Sequence, residues 1–384
     1  MSITTKRYVG IDPKETEASK ARAAEIAELF CSFIRTASKS LDIAIYHFQL
    51  EPAEEKPVLD AIGEAVGKGV KVRVAYYDEK KRGQGYRSKT QVGGDPLGDS
   101  RHQALADAGA EVRPIFGDLP SGVSVEPIEG SNLMHSEYMV RDGSAVWTGS
   151  GNFTTESWSV QDNNFVIFED SESLAGYYSS DFNDLWDNGS IVKSGKDDHA
   201  TVSIGGTQVD VDFSPGDGVQ IEKTLSDLIG SATESIHVAS MIVSSAQIMD
   251  AMLNAPGDVN LLGIYDEGQM DNVEGDWNRA IEKSGSQKSE ENLSKWNQLK
   301  SRLVSKKSNR YHEGANTTDL NFMHDKLVVI DRKVVLTGSF NFSDNAARNA
   351  ENVVTVHDEK TASDYADYVE SLVKTYSQAG EADK

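Results

Sequence analysis

The chain has 384 residues, enough for two ordinary domains or one large double-cored one. Its 38% hydrophobic and 26% charged content is that of a soluble globular protein, and it contains no run of about 18 apolar residues that would span a bilayer. A formal net charge of −23 disfavours sequence-blind binding of a polyanion over the whole surface but permits one local cationic groove.

The N-terminal MSITTKRYVGIDPKETEASKAR has no apolar segment after its basic start, so no cleaved secretory leader is expected. A helix, a Ser-containing break and a strand are predicted in ELFCSFIRTASKSLDIAIYHF (28–48). Cys31, the single cysteine, lies in this helix as a small apolar side chain; a reducing, cytoplasmic setting fits. A second helix, a glycine turn and an apolar strand ending in Tyr-Asp-Glu follow in KPVLDAIGEAVGKGVKVRVAYYDE (56–79). A polar stretch then leads to MHSEYMVRD (134–142) and TGSGNFT (148–154).

The second half repeats this order. KTLSDLIGSATESIHVASMIV (223–243) and AQIMDAMLNAPGDVNLLGIYDE (246–267) again read as helix–strand units, and another polar stretch precedes MHDKLVVID (323–331) and TGSFNFS (337–343). An offset of 189 relates His135 to His324, Asp142 to Asp331, Gly149 to Gly338, Ser150 to Ser339, Asn152 to Asn341, Asp162 to Glu351 and Asn163 to Asn352. This period is too long for a solenoid and implies two similar α/β domains, each a mixed sheet flanked by helices. The expected division is 1–190, a linker with a strand over 191–217, and 218–384.

In a strand, residues i and i+2 share a face, which places Lys326 beside His324 and Glu137 beside His135. The hairpin at Asp142-Gly143 returns Gly-Ser-x-Asn to the histidine's end of the sheet, where glycine allows close backbone approach to a ligand. Ser150, Ser339, Asn152 and Asn341 are short donors for phosphate oxygens. A neutral imidazole is a nucleophile near pH 7 and a protonated one an acid. Two facing histidines can therefore divide phosphoryl transfer without a metal or other cofactor, and Asp162 and Glu351 are candidates to fix their tautomers.

The paired HxKxxxxD and GSxN stretches resemble the phospholipase D superfamily, whose two-domain members have pseudo-twofold symmetry. The resemblance covers nearly the whole chain. It implies metal-independent phosphodiester hydrolysis or transfer through a phosphohistidine. By position it makes His135 and His324 the nucleophile and acid pair, Asp142 and Asp331 the motif aspartates, and Lys326, Asn152 and Asn341 phosphate ligands, with Ser150 and Ser339 beside them. Glu137 departs from the pattern. A carboxylate in place of an ammonium is expected to repel the substrate, to pair with Lys326, and to disable the first motif at a cost on the order of several kcal/mol.

The superfamily includes nucleases and phospholipases, so local charge must choose between them. EKKRGQGYRSK carries Lys80, Lys81, Arg82, Arg87 and Lys89; KWNQLKSRLVSKKSNRYH carries Lys295, Lys300, Arg302, Lys306, Lys307 and Arg310, interleaved with Trp296 and Tyr311. Each lies between a Tyr-Asp-Glu strand and an MH motif, as expected for a groove that takes DNA or RNA. A nuclease is the leading expectation. The alternatives are a phospholipase D or phosphatidyl transferase and a non-catalytic nucleic-acid-binding relative. LPSGVSVEPIEGSNL (119–133) is only mildly apolar, so stable membrane insertion is not expected. His47 and His237 read as core or interface histidines, and His102, His199, His312 and His357 show no zinc-like spacing. Two motifs in one chain complete one site, which leaves monomer and homodimer equally compatible with the chemistry.

Overall fold

A computed structural model describes residues 1–78, 99–117, 132–196, 198–309 and 320–382. The first half runs β1 (Ser2–Tyr8), α1 (Thr16–Arg35), β2 (Ser40–Ile45), β3 (Phe48–Gln49), α2 (Pro52–Gly67), β4 (Lys71–Tyr77), α3 (Asp99–Asp107), β5 (Glu111–Ile115), β6 (Tyr138–Arg141), β7 (Ala145–Gly149), β8 (Phe153–Thr154), α4 (Thr155–Ser159), β9 (Asn163–Glu169) and α5 (Glu172–Asn188). The second runs β10 (Ala200–Ile204), β11 (Thr207–Ser214), α6 (Gly218–Gly230), β12 (Ser235–Ser240), α7 (Ala246–Leu253), β13 (Asn260–Asp266), α8 (Glu267–Ser284), α9 (Gln287–Leu299), β14 (Val304–Lys306), β15 (Lys326–Ile330), β16 (Val334–Gly338), β17 (Glu351–His357) and α10 (Glu359–Ala382).

Both large sheets are mixed and share one topology. The first has the order β1-β9-β7-β6-β2-β4-β5 and the second β10-β11-β17-β16-β15-β12-β13-β14. In each, the two helix-connected neighbours pair in parallel, β2 with β4 and β12 with β13. The hairpins β6–β7 and β15–β16 are antiparallel. The region 191–217, expected as a linker with a strand, supplies two strands, β10 and β11, to the second sheet. β11 pairs antiparallel with β17 as β1 pairs with β9, so this stretch covers an edge strand that would otherwise be unpaired.

Side-chain alternation sends each sheet's two faces into different cores. Leu41, Ile43 and Ile45 of β2 pack with Ile26, Phe30 and Ile34 of α1, while Ala44 faces the other way. Val328 and Ile330 of β15 pack with α6 and α7, while Leu327 and Val329 face the other way. The opposite faces of both sheets meet a single shared core, with α5 (Leu174, Tyr178, Phe182) and α10 (Tyr365, Val369, Leu372) in it. Cys31 is fully buried, and burial pushes its thiol up to about 11, as suits an inert core residue. Trp147 and Trp158 pack on Phe30, with ring centroids 5.8 and 5.3 Å away. Among the described residues, no helix is long and apolar enough to cross a membrane.

Candidate active site

The two halves are stitched together at their motifs. The His135 N–H donates to Ala350 O at 2.8 Å, and the His324 N–H donates to Asp162 O at 3.1 Å. Each histidine is thus held by the residues that open β17 or β9 of the other half, and both are buried, at 7% and 4% exposure. They are close enough that a charge on His135 lowers the proton affinity of His324.

The surroundings of the two rings differ. His135 Nδ1 lies 2.7 Å from Glu351 Oε2, a carboxylate from the opposite half. Asn349 Nδ2 donates to the other Glu351 oxygen at 3.0 Å, fixing that carboxylate. His324 Nδ1 instead meets two neutral acceptors, Ser150 O at 2.9 Å and Asn163 Oδ1 at 3.0 Å. Lys326 Nζ lies against the same ring, 3.0 Å from Nδ1 and 3.2 Å from Nε2, and donates to His324 O at 2.7 Å. Burial, then the Lys326 charge, then His135 push His324 well below the usual imidazole range. Burial also pushes Lys326 down, to about 7, against the opposing pull of Glu351, Asp325 and Glu137.

A family profile described as "Cardiolipin synthase, PLD-like domain" matches twice, over residues 30–186 and 225–373. The chain belongs to the phospholipase D superfamily. A phospholipase D of Rickettsia prowazekii is 54% identical over 43 residues, 11% of this chain and 21% of that one. A mitochondrial cardiolipin hydrolase of Xenopus laevis is 30% identical over 83 residues, 22% of this chain and 38% of that one. The matched stretches therefore span about a fifth to two-fifths of these relatives. The phosphatidylserine synthase structure from Haemophilus influenzae Rd KW20 superposes with a TM-score of 0.63 at 10% identity, covering 97% of this chain and 86% of that one, which establishes a shared fold.

Several expectations drawn from the phospholipase D signature need correction. Asp142 and Asp331, expected as catalytic, lie at the end of their strands away from the histidines. Asp331 accepts the backbone N–H groups of Thr233, Glu234 and Ser235 at 2.7–3.1 Å. Asp142 does the same for Ser38, Lys39 and Ser40. Both are anchors that tie the hairpin turn to the loop before β2 or β12. Asp162, expected on a histidine, is held elsewhere: its carboxylate meets Lys306 Nζ at 2.6 Å, Tyr376 OH at 3.0 Å and the Gly10 N–H. It is one methylene shorter than Glu351, and Asn163 serves His324 in its place.

Ser150 and Ser339, expected near phosphate, are turned inward. Their Oγ atoms accept the Asn164 and Asn352 N–H groups, each at 3.0 Å. Gly149 and Gly338, at φ 152° and 151°, allow that approach. A Cβ there would stand 2.2 Å from Asn164 O or 2.1 Å from Asn352 O, so the glycines admit neighbouring backbone, not ligand. Asn152 and Asn341 are half-buried; each Oδ1 is buried without a partner and, as an acceptor, cannot itself meet a phosphate oxygen, so a phosphate contact falls to Nδ2. His47, read as a core or interface histidine, is half-buried beside the site; burial, His135 and His102 push it down to about 4. His237 is buried as expected, 3.2 Å from Glu370.

The second basic segment is mostly committed to the fold. Lys306 is buried on Asp162, Lys295 pairs with Asp250 at 2.7 Å, and Lys300 with Glu274 at 3.2 Å. Trp296 is fully buried and cannot stack a base. Lys307 is exposed. Lys80, Lys81, Arg82, Arg87, Lys89, Arg310, Tyr311 and His312 lie outside the described residues. Among the described residues, no ion pair within 4 Å joins Glu137 to Lys326, contrary to the expected pairing.

Sequence reasoning missed Asn163 as the partner of His324. It also missed Tyr46, whose ring lies 4.8 Å from His135, and Asp325, held by Tyr368 at 2.7 Å and Asn164 at 2.8 Å. The mismatch of Asp162 with Glu351 at equivalent positions was the available signal for the first.

Proposed function

We propose that the chain cleaves or transfers a phosphodiester through a covalent phosphohistidine, with His324 as nucleophile and His135 as general acid. The observation that carries this is the unequal partnering of the two Nδ1 atoms. The Glu351 carboxylate at His135 Nδ1 holds that ring with Nε2 directed away from it, the nitrogen that exchanges a proton with the leaving oxygen. His324 is kept neutral by burial and by Lys326, and its Nδ1–H donates to carbonyl acceptors; its Nε2 lone pair, which Lys326 Nζ approaches at 3.2 Å, bonds phosphorus once that ammonium turns to the phosphate oxygens.

In the first step His324 Nε2 bonds to phosphorus, the bond to the leaving oxygen breaks, and His135 gives that oxygen its proton. In the second, neutral His135 takes a proton from water or an acceptor alcohol, whose oxygen displaces His324 from phosphorus. Lys326, Asn152 and Asn341 are assigned to the non-bridging oxygens. Both proton transfers fall to histidine, so activity in excess EDTA is the expected result.

A phospholipid diester is the substrate class the relatives support, through the phospholipase D and cardiolipin hydrolase names. The nucleic-acid expectation loses Lys295, Lys300, Lys306 and Trp296 of its second segment to the fold; Arg302 and Lys307 stay exposed, and its other cations lie outside the described residues. The test offers the unchanged protein and His324→Ala phosphatidylcholine and cardiolipin vesicles, single- and double-stranded DNA, and RNA, all with EDTA. Lipid turnover that vanishes in the variant, with an acid-labile phosphoryl adduct on His324, is expected. Cleavage of nucleic acid alone reinstates the nuclease, and binding without turnover by any version favours the non-catalytic relative.

A further inference from the structure

Glu137 stands where the second motif has Lys326. The argument that it repels substrate requires a charged carboxylate, and its surroundings do not suit one. The side chain is 2% exposed. Its Oε1 receives the Tyr46 N–H from the end of β2 at 3.4 Å, and its Oε2 is buried with no partner. From β17, Asn352 Oδ1 takes the Glu137 backbone N–H at 3.2 Å, and Glu351 presents a like charge. Lys326 of β15 is the cation that faces it, beyond ion-pair distance, and His135 lies two residues back on its own segment. Burial, the largest influence, and Glu351 push the carboxyl well above the usual range, with the Tyr46 N–H and Lys326 opposing. A buried carboxylate without a paired cation gives way to the protonated form.

We propose that Glu137 works as a neutral carboxylic acid whose Oε2–H donates to a non-bridging oxygen of the bound phosphodiester, in the place of the ammonium that Lys326 supplies in the second motif. The proposal rests on the phosphodiesterase reading. The partnering suits it: the oxygen that accepts from Tyr46 serves as the carbonyl oxygen, and the buried oxygen without a partner as the hydroxyl. A protonated carboxyl keeps one donor where lysine has three, so the first motif is weakened but not reversed in sign. Its proton becomes part of the site, and raising the pH far enough to remove it places an anion against the phosphate.

The deciding experiment needs no turnover. Infrared difference spectra of the unchanged protein against Glu137→Gln are recorded at pH 7, with and without sulfate, a tetrahedral dianion that does not titrate in this range. A protonated-carboxyl C=O band present only in the unchanged protein, and displaced by sulfate, is expected; carboxylate bands in its place overturn the proposal. Sulfate affinity is then followed upward from about pH 6 to the pH at which the carboxyl band is lost. Across that loss the unchanged protein should lose at least about tenfold more affinity than Glu137→Gln, whose amide keeps a donor and cannot ionise. A parallel loss in the two proteins while the band disappears would assign the whole effect to Lys326 and sink the proposal. Turnover by Glu137→Lys but not by the unchanged protein would show that the carboxyl disables the motif. If no version turns over any phosphodiester, the phosphodiesterase reading fails, while the carboxyl band still decides the state of Glu137.

Discussion

At the residue scale, one methylene separates the partners of the two histidines. Glu351 reaches His135, whereas Asp162, its equivalent by the repeat, is taken by Lys306, Tyr376 and Gly10. Glu351→Gln should therefore lower kcat by about 10²- to 10⁴-fold with little change in KM, because a neutral amide is a poorer acceptor for the Nδ1–H that orients the His135 ring. Asp162→Asn should act mainly on stability. Lys326 adds a pH limb. Its ammonium is held down to about 7, so the charge is present below that pH and lost as pH rises through it. In a Glu137→Gln background, where the carboxyl no longer titrates and no longer holds the ammonium up, KM for the diester should rise at or below about pH 7. A KM flat from well below that pH to well above it would remove Lys326 from the phosphate.

At the scale of elements, the motif aspartates hold the hairpins to the loops before β2 and β12. Asp331 gathers three consecutive backbone N–H groups, and they lower its carboxyl to about 2 against the opposing effect of burial. A carboxyl lowered on folding adds stability that is present above its unfolded value near 4 and lost as pH falls towards 2. The site is largely solvent-accessible, so the contribution is discounted for screening. Asp331→Ala should cost about 1–2 kcal/mol at pH 7 and less at pH 3, read by urea unfolding, with kcat per folded molecule retained. A large fall in kcat at unchanged stability would restore the catalytic reading. Gly338→Ala is the sharper perturbation. Its φ of 151° and the 2.1 Å approach to Asn352 O leave no room for a methyl, so a loss above about 1 kcal/mol is expected from strain alone.

At the scale of the molecule, the two halves share one core and one set of cross-strand stitches. Met134 bridges Ala350 and Asp162 bridges Met323, so each motif is aligned by the opposite sheet. The buried Asp162–Lys306 pair joins the halves, with Gly10 and Tyr376 of α10 on the same carboxylate. Lys306→Met should leave that carboxylate uncompensated and cost about 3–5 kcal/mol in thermal or urea unfolding. If the variant unfolds like the unchanged protein, Lys306 is a groove cation after all.

The repeat, the α/β class, the motif histidines and the lysine that departs to glutamate at 137 were all legible in the amino-acid order. They depend on local periodicity and on residue identity at a constant offset, which the chain carries by itself. Tertiary structure decided which carboxylate touches which imidazole, that Ser150 and Ser339 face inward, that Lys306 and Trp296 are buried, and that 191–217 closes a sheet edge. Those outcomes turn on side-chain reach and desolvation across the two halves, between residues as much as 216 positions apart, as His135 and Glu351 are. No window of sequence contains them, because the same aspartate, lysine or tryptophan is a ligand on the surface and a structural group once water is removed around it.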